Sequence, residues 1–152
     1  MEWHMKTFKE LTNQELYALL KARTDVFVVE QACPYPELDD LDQDSVHYYL
    51  TVGGEIAANV RLLPRGLKYE EFAAIGRVLV VSKFRSFGYA RMIMEKAITY
   101  IHEVWQEDKI KIQAQVYLKD FYGSLGFKQI TDEYLEDGIP HIDMLLEREL
   151  KN

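Results

Sequence analysis

The stretch from Val78 to Ala90, VLVVSKFRSFGYA, decides the fold class that the sequence predicts. It begins with an uninterrupted aliphatic run, which is typical of a strand buried on both faces. A turn follows, and the residues after it repeat apolar side chains at i, i+3, i+4 and i+7 as far as Trp105, the pattern of an amphipathic helix. The stretch is therefore predicted to be a central strand that leads through a turn into a helix.

The sequence on either side predicts a mixed α+β fold with one helical crossover, in a single domain of residues 1–152. Thr12 and Glu15 have the spacing of a capping box and indicate the start of a helix. The β-branched residues up to Val29 do not define where this helix ends. A Gly53-Gly54 turn joins the first two predicted strands into a hairpin. The predicted strands are His47–Val52, Ile56–Leu63, Phe72–Val81, Ile110–Gln115, Phe127–Ile130 and His141–Glu147, and a short helix is predicted at Leu118–Leu125.

Composition and charge exclude several classes of protein. The chain has 18 lysine and arginine residues against 25 aspartate and glutamate residues, a formal charge of −7, which argues against binding to duplex DNA. No apolar segment is long enough for a signal peptide or a membrane span, so a cytoplasmic protein is expected. Cys33 is the only cysteine, which excludes an intramolecular disulfide and a zinc site of several thiolates.

Several common catalytic and metal-binding motifs do not occur in the sequence. There is no phosphate loop with Gly-Lys-Ser/Thr, no G-x-G-x-x-G after a strand, no G-x-S-x-G and no H-E-x-x-H. The acidic residues of segment 37–44 do not form a calcium loop, because a loop beginning at Asp40 would place Ser45 and Thr51 where glycine and glutamate are required. No metal ion is therefore expected.

The turn between the central strand and its helix suits a bound anion. The first N–H groups of a helix lack partners within it, and Gly88 and Ala90 let a phosphate approach the backbone. Between positions 76 and 96 the net charge is +4, which leaves −11 for the rest of the chain. The basic residues in this interval are Arg77, Lys83, Arg85, Arg91 and Lys96. The alternative is an ordinary turn with solvated charges.

A second motif, DFYGSLGF at Asp120–Phe127, follows one further predicted helix and strand. The R-x-x-G-x-A of the turn and the F-Y-x-x-x-G-F found here resemble the two core motifs of the GCN5-related N-acetyltransferase (GNAT) superfamily. Three further stretches, Arg23–Gln31, Cys33–Tyr35 and Glu136–Ile142, resemble the ElaA-like branch of that superfamily. The resemblance extends over nearly the whole chain.

The resemblance implies a GNAT-like fold, with a twisted, mostly antiparallel central sheet, a splayed central strand and about four flanking helices. It also implies that acetyl-CoA is the donor and that a primary amine of a small molecule or peptide is the acceptor, with direct transfer and no metal. A non-catalytic acyl-CoA-binding sensor or interaction module on the same fold is the alternative. The oligomeric state stays open, with a homodimer among the options.

The resemblance assigns binding roles to the turn and to the strands around it. The pantetheine arm of the donor is expected along residues 79–81, and its pyrophosphate at backbone N–H groups of residues 85–90. Gln115 and Leu118 stand where many family members have Asn and Ala, so the usual side-chain contacts to the pantetheine amides do not carry over directly. The candidate cofactor-binding residues are Leu79, Val80, Val81, Arg85, Ser86, Phe87, Gly88, Tyr89, Ala90, Gln115 and Asp120.

Three residues are candidate catalytic groups: Tyr122, Glu30 and His141. Tyr122 corresponds to the family tyrosine that is often the general acid, and a phenol with a pKa of ~10 can protonate a thiolate whose conjugate acid has a pKa of ~8.5. Glu30, whose pKa burial would raise, and His141 are candidate general bases, with a water chain as a third option. The alternatives are packing for Tyr122, a charge at a helix end for Glu30 and an ordinary strand position for His141. The backbone N–H of Val80 is a candidate oxyanion donor.

The acidic segment Glu37–Asp44 is expected to border the acceptor side of the site, because it follows the first helix. There it would attract a cationic amine. A solvated loop without a role in binding is the alternative. Cys33, which lies between the first helix and this segment, is expected to be a packed side chain and not an acetyl-carrying nucleophile.

Overall fold

The computed structural model describes residues 1–149 and builds them around one twisted sheet. Its strands are β1 (Glu2–Thr7), β2 (Val46–Val52), β3 (Glu55–Leu63), β4 (Ala73–Val80), β5 (Lys109–Gln115), β6 (Lys128–Gln129), β7 (Tyr134–Glu136) and β8 (Ile139–Glu147). The α-helices are α1 (Asn13–Arg23), α2 (Tyr89–Glu103) and α3 (Lys119–Ser124). The strand order is β1-β2-β3-β4-β5-β8-β6, with β7 paired to β8, and only the β4–β5 pair is parallel. The predicted α+β fold with a mostly antiparallel sheet is confirmed.

The two parallel strands at the centre of the sheet diverge. They pair only at Ala73 with Ile110 and at Ala74 with Lys111. Beyond these positions β4 stays paired with β3 as far as Val80, whereas β5 stays paired with β8 along its whole length. A gap therefore opens between β4 and β5, which confirms the splayed central strand.

A β-bulge in β4 lies at the point where the gap begins. The register with β3 changes from Gly76 opposite Arg61 to Leu79 opposite Asn59, so β4 contains one extra residue at this point. Arg77 takes up the extra length with φ of 50°, in the left-handed region that is unfavourable for a residue with a Cβ. The side-chain amide of Asn59 donates to the Arg77 carbonyl at 3.1 Å. A bulge bends its strand, which is consistent with the separation of β4 from β5. The hydrogen bond from Asn59 in β3 stabilises the bulge.

Helix α2 covers one face of the sheet and is the amphipathic helix that the sequence predicted. Its buried apolar residues are Ile93, Met94, Ala97 and Ile101, and they join the main core cluster with side chains from the central strands. Because this stripe fixes the helix against the sheet, the first turn of α2 stands at the open end of the gap. Within residues 1–149, no helix has both the length and the apolarity that a membrane span requires.

Helix α1 begins at the predicted capping box, and the chain stays helical beyond the end of the α-helix. The Thr12 hydroxyl accepts from the Glu15 N–H at 3.1 Å, and the Glu15 carboxylate accepts from the Thr12 N–H at 2.8 Å. After Arg23 the chain continues as a π-helix over Thr24–Glu30. This segment together with the three α-helices agrees with the expected number of flanking helices.

Two strands were not predicted. The edge strand β1 carries alternating charged, aromatic and polar residues and has no aliphatic run, so its pairing with β2 is evident only in the folded chain. The three-residue β7 pairs with β8 around Asp137, which has φ of 49°, and Gly138, with φ of 78°. The predicted strand Phe127–Ile130 is reduced to Lys128–Gln129.

Candidate active site

A cavity of about 870 Å³ occupies the gap between β4 and β5. Its lining includes residues of the turn before α2, of the β3–β4 loop and of the β7–β8 hairpin. The predicted site residues that line it are Glu30, Leu79, Val80, Arg85, Ser86, Gly88, Tyr89, Ala90, Gln115, Tyr122 and His141. The two sequence motifs therefore lie on one cavity, although they are far apart in the chain.

Three of the candidate cofactor-binding residues, Val81, Phe87 and Asp120, are not part of this lining. The Val81 side chain packs against a small apolar cluster beneath α1. Phe87 is 64% exposed and stacks on Tyr89, with 5.8 Å between the ring centroids. Asp120 is exposed in the first turn of α3.

The turn before α2 has the geometry of an anion site. Gly88 adopts φ of 79° as the residue that caps the helix, a conformation that glycine reaches without strain. Tyr89 and Ala90 begin a helix of 15 residues, so the N–H groups of its first turn lack partners within the helix. Since these groups line the cavity, a phosphate group in the open end of the gap would meet their N–H dipoles.

Glu30 lies beside this turn and forms an ion pair with Arg85. The guanidinium Nη2 donates to Glu30 Oε2 at 3.0 Å, and Nη1 contacts the other carboxylate oxygen. The Glu30 side chain is 40% exposed, and the hydrogen bonds from Arg85 lower its pKa. The expectation that burial would raise the pKa of Glu30 is therefore wrong, because the π-helical segment carries this residue to the rim of the cavity. A carboxylate of lowered pKa is a weak general base.

Tyr122 lies on the wall of the cavity and is buried. Its ring packs edge-on against Phe121 and Phe127, with centroids 5.1 and 6.1 Å away, and the residue is 7% exposed. Burial raises the pKa of Tyr122 to about 12, so the phenol keeps its proton at neutral pH. A protonated phenol facing the cavity is the state that a general acid requires.

His141 is the candidate base whose geometry suits that role. Its Nδ1 is 2.7 Å from the Ile139 carbonyl, which can only accept, so Nδ1 carries the proton and the neutral ring keeps its lone pair on Nε2. The ring stacks on Tyr134, with 6.1 Å between the ring centroids, and stands opposite Gln115 in the β5–β8 ladder. These contacts hold the imidazole in one orientation at the cavity.

The amide of Gln115 donates to the Gln31 side chain at 3.2 Å and ties β5 to the end of the π-helical segment. Cys33 is 7% exposed, and its thiol contacts the Asp137 carbonyl at 3.4 Å. The thiol is packed between the α1 side and the β7–β8 hairpin. Cys33 is buried and also lines the cavity, and its expected role as a packed side chain stays a prediction.

Three carboxylates of the acidic segment 37–44 are paired with arginines, whereas Asp40 and Asp44 are exposed, and a role of the segment in acceptor binding stays a prediction. Glu37 and Asp42 are each 6% exposed, and Arg23 bridges them with hydrogen bonds of 2.8 and 2.7 Å. Arg61 binds Asp42 at 2.9 Å and Asp39 at 2.7 Å. Burial opposes ionisation of Asp39 and Asp42, but hydrogen bonds and charge from the arginines lower the pKa of both. Neither a solvated loop nor a free acidic patch describes these three carboxylates.

Arg77 completes this group, which we call the arginine–carboxylate network: Arg23, Arg61, Arg77, Glu37, Asp39 and Asp42. Its Nε donates to Glu37 Oε2 at 2.7 Å, and its guanidinium stacks over the Tyr35 ring at 5.7 Å. Because Arg77 is the bulge residue, the network holds the left-handed conformation that opens the gap. The charge of Arg77 is therefore neutralised by Glu37 and does not add to the positive potential at the turn.

The other basic residues around the turn are also paired. Lys83 contacts Glu55 at 2.6 Å, and Lys96 lies over the Trp3 ring at 4.9 Å, both outside the cavity. Only Arg85 and Arg91 remain near the predicted pyrophosphate position. The unpaired positive charge around the turn is thus smaller than the net +4 of positions 76–96, because residues from distant segments of the chain contact these basic side chains.

Sequence reasoning missed several polar residues that line the cavity, which are Gln31, Tyr35, Lys68, Gln113, Glu136 and Asp137. Gln31, Tyr35 and Glu136 fall in the three stretches that resemble the ElaA-like branch, and this was the available signal for them. Lys68 lies in the β3–β4 loop and belongs to no motif. In the part of the chain that the structure describes, no group of three or more His, Cys, Asp or Glu side chains is arranged to hold a metal ion.

The splayed sheet and the cavity within it define an acyltransferase, the class that the two motifs predicted. The chain belongs to the GNAT acetyltransferase family, since the family model described as "Acetyltransferase (GNAT) domain" matches residues 7–148. A UPF0039 protein of Schizosaccharomyces pombe is 40% identical over 149 residues, which is 97% of each chain.

Two solved structures are similar in both sequence and fold. ElaA of Escherichia coli is 37% identical and superposes with a TM-score of 0.89, over 96% of this chain and 99% of that one. An acyl-CoA N-acyltransferase from Pseudomonas aeruginosa is 40% identical with a TM-score of 0.88, over the same shares of the two chains. The resemblance to the GNAT superfamily and to its ElaA-like branch is confirmed.

Proposed function

We propose that the protein transfers an acetyl group from acetyl-CoA directly to a primary amine of a small molecule or peptide. The observation that carries this proposal is a single cavity that joins the N-terminus of α2 to the Tyr122 phenol through the gap between β4 and β5. The similarity to a structure described as an acyl-CoA N-acyltransferase supports an acyl-CoA donor. A cytoplasmic location and a homodimeric assembly stay predictions.

The donor is proposed to enter at the open end of the gap. Its pyrophosphate would take the N–H groups of the first turn of α2, and Arg85 would leave Glu30 to bind it. Its pantetheine arm would lie along Leu79 and Val80, where the edge of β4 that faces β5 has no ladder partner. Backbone groups along this free edge are available to an extended ligand and to the thioester carbonyl.

The transfer step uses one acid and one base. The amine nitrogen attacks the thioester carbon, the C–N bond forms, and the oxyanion is stabilised by backbone N–H of β4. His141 Nε2 takes the proton that the amine loses, and the C–S bond breaks as the Tyr122 phenol protonates the sulfur. The products are an N-acetyl amide and CoA with a free thiol.

The test is a thiol-release assay with acetyl-CoA across polyamines, amino acids, amino sugars and short peptides. Tyr122→Phe removes the acid without changing the ring and is expected to lower kcat about 100-fold or more, with acetyl-CoA binding retained. The matched control is Tyr17→Phe, an exposed tyrosine of α1 outside the cavity, which should leave kcat unchanged.

Donor binding is measured separately by thermal unfolding. Acetyl-CoA at 100 times its Kd should add about 2.7 kcal/mol of stability. If acetyl-CoA stabilises the protein and no amine releases thiol, the protein is a sensor and the catalytic proposal is wrong. If millimolar acetyl-CoA gives no shift, both interpretations based on CoA are wrong.

A further inference from the structure

The closed end of the cavity holds an ammonium group without a carboxylate partner. Lys68, in the loop between β3 and β4, donates to Gln113 Oε1 at 2.7 Å and forms no ion pair within residues 1–149. The three arginines that line the same cavity each contact a carboxylate: Arg77 with Glu37, Arg85 with Glu30 and Arg91 with Glu95. Lys68 is therefore the one lining cation of the described chain whose charge is not matched.

Gln113 connects this cation to an anion. Its Oε1 accepts from Lys68, and its Nε2 donates to Glu136 Oε2 at 3.3 Å. The orientation of the amide is set by these two bonds. Glu136 also has no ion-pair partner in the described part of the chain, so one positive and one negative group face the cavity on either side of a neutral amide.

The position of Lys68 along the cavity separates it from the donor site. Gln113 is two residues beyond Lys111, which is the last residue of β5 that pairs with β4. Lys68 therefore stands close to the closed end of the gap, whereas the turn that begins α2 stands at the open end, after Val80. A donor whose pyrophosphate occupies that turn leaves the Lys68 end for the acceptor.

The surroundings of Lys68 favour an anion at this end. Lys68 is an exposed residue at the border of the cavity, and desolvation, followed by the positive charges of Arg77 and Arg61, lowers its pKa. Its present acceptor is a neutral amide oxygen, whereas a carboxylate would bring a full negative charge to the ammonium group. A ligand with a negative group here would replace the neutral amide oxygen of Gln113 with a charged acceptor.

We propose that the acceptor carries a carboxylate in addition to its reactive amine, as an amino acid does, and that Lys68 binds this carboxylate. This inference rests on the proposed transferase function and names its substrate class. Glu136, across Gln113, attracts the ammonium form of the same molecule as it enters. The carboxylate then fixes the acceptor with its amine directed along the gap to the thioester.

The same charges disfavour a polyamine. Of the carboxylates in the acidic segment, Glu37, Asp39 and Asp42 are held by arginines in the arginine–carboxylate network, which leaves the exposed Asp40 and Asp44. A second ammonium group placed at the closed end would face Lys68 directly. A monocarboxylate with one amine matches the unpaired Lys68 cation and the acidic lining residues Glu136 and Asp137.

The experiment compares acceptors that differ in the carboxylate alone. Thiol release from acetyl-CoA is measured with each of the common amino acids, with its α-amide and with the amine that lacks the carboxyl group. The amino acids that react are expected to show a kcat/KM at least tenfold above their two matched analogues, about 1.4 kcal/mol in transition-state binding.

The variants assign this preference to Lys68. Lys68→Met is expected to raise the KM for carboxylate acceptors about tenfold, and to leave the KM for acetyl-CoA and the rates with amide acceptors unchanged. Lys68→Arg keeps the charge and should retain most of the preference. Lys128→Met, at an exposed position of β6 outside the cavity, is the control and should behave as the wild type.

The outcomes are distinguishable. If amides or simple amines react as well as the amino acids, or if Lys68→Met slows both kinds of acceptor equally, the inference is wrong and the transferase function stands. If acetyl-CoA binds and no acceptor of any kind reacts, the transferase function is wrong and this inference falls with it. Melting temperatures are measured for all variants to check that each is folded. Because Lys68 has no ion pair to lose, Lys68→Met is expected to remain folded.

Discussion

The two sides of the β4 bulge use charged side chains in opposite ways. On one side, the arginine–carboxylate network pairs three arginines with three carboxylates, and four of these six residues are no more than 6% exposed. On the other side, the cavity keeps Lys68 and Glu136 without ion-pair partners in the described chain. The same residue types hold the backbone in the first region and stay available to a ligand in the second.

The difference teaches how burial decides the role of a charge. A buried arginine or carboxylate is tolerated only with partners, so the network must be complete in the folded state and has no capacity for a ligand. Lys68 and Glu136 border a cavity that water can enter, so each can remain hydrated and without an ion-pair partner when no ligand is bound. The three predictions that follow test this contrast in order of decreasing effect.

The largest effect is expected from breaking the network. Arg23→Met removes a guanidinium that is 1% exposed and leaves Glu37 and Asp42 each without one of their arginine partners. Removing one partner of a buried pair is expected to cost about 3–5 kcal/mol in the free energy of unfolding, measured by urea denaturation. The control is Arg65→Met, because Arg65 pairs with Glu107 at the surface and is 58% exposed, so its loss should change little. A loss below about 1 kcal/mol for Arg23→Met would contradict the structural role of the network.

A smaller effect is expected from titrating the network. The pKa values of Asp39 and Asp42 are lowered in the folded state, so their stabilisation is complete above the unfolded value of ~3.9 and is lost as the pH falls through the folded value. The free energy of unfolding should therefore decrease steeply below about pH 4. Asp42→Asn should flatten this dependence, whereas Asp25→Asn, at an exposed pair with Lys21, should keep the wild-type slope. Equal slopes for all three proteins would show that the network does not titrate as described.

The smallest effect is expected on the cavity side, at the exposed pair between Glu30 and Arg85. Glu30→Gln frees Arg85 for the pyrophosphate and should lower the KM for acetyl-CoA two- to threefold, less than about 1 kcal/mol, because both side chains are partly solvated. Glu55→Gln breaks a comparable pair with Lys83 outside the cavity and should leave the KM unchanged. A fall in kcat of about 100-fold for Glu30→Gln would instead identify Glu30 as the general base and displace His141 from that role.

The elements predicted correctly are those whose signals are local. The capping box at Thr12, the apolar stripe of α2 and the glycine turn of the hairpin each involve residues within a few positions of one another. The strand β1 was missed, because an edge strand with mixed polar and aromatic residues has no periodicity of its own and is defined by its pairing with β2. The pKa of Glu30 was predicted in the wrong direction, because the partner that lowers it, Arg85, lies 55 positions away.

The sequence by itself determined the fold class, the turn before α2 and the position of the tyrosine of the second motif, because short motifs specify local backbone geometry and resemble a known family. Only the tertiary structure decided which charges are free. Arg77 forms an ion pair with Glu37, which is 40 positions away, whereas Lys68 donates to the neutral amide of Gln113 and lies over the Tyr69 ring. An ion pair depends on the distance between two groups and on their burial, and neither quantity is contained in the residue types alone.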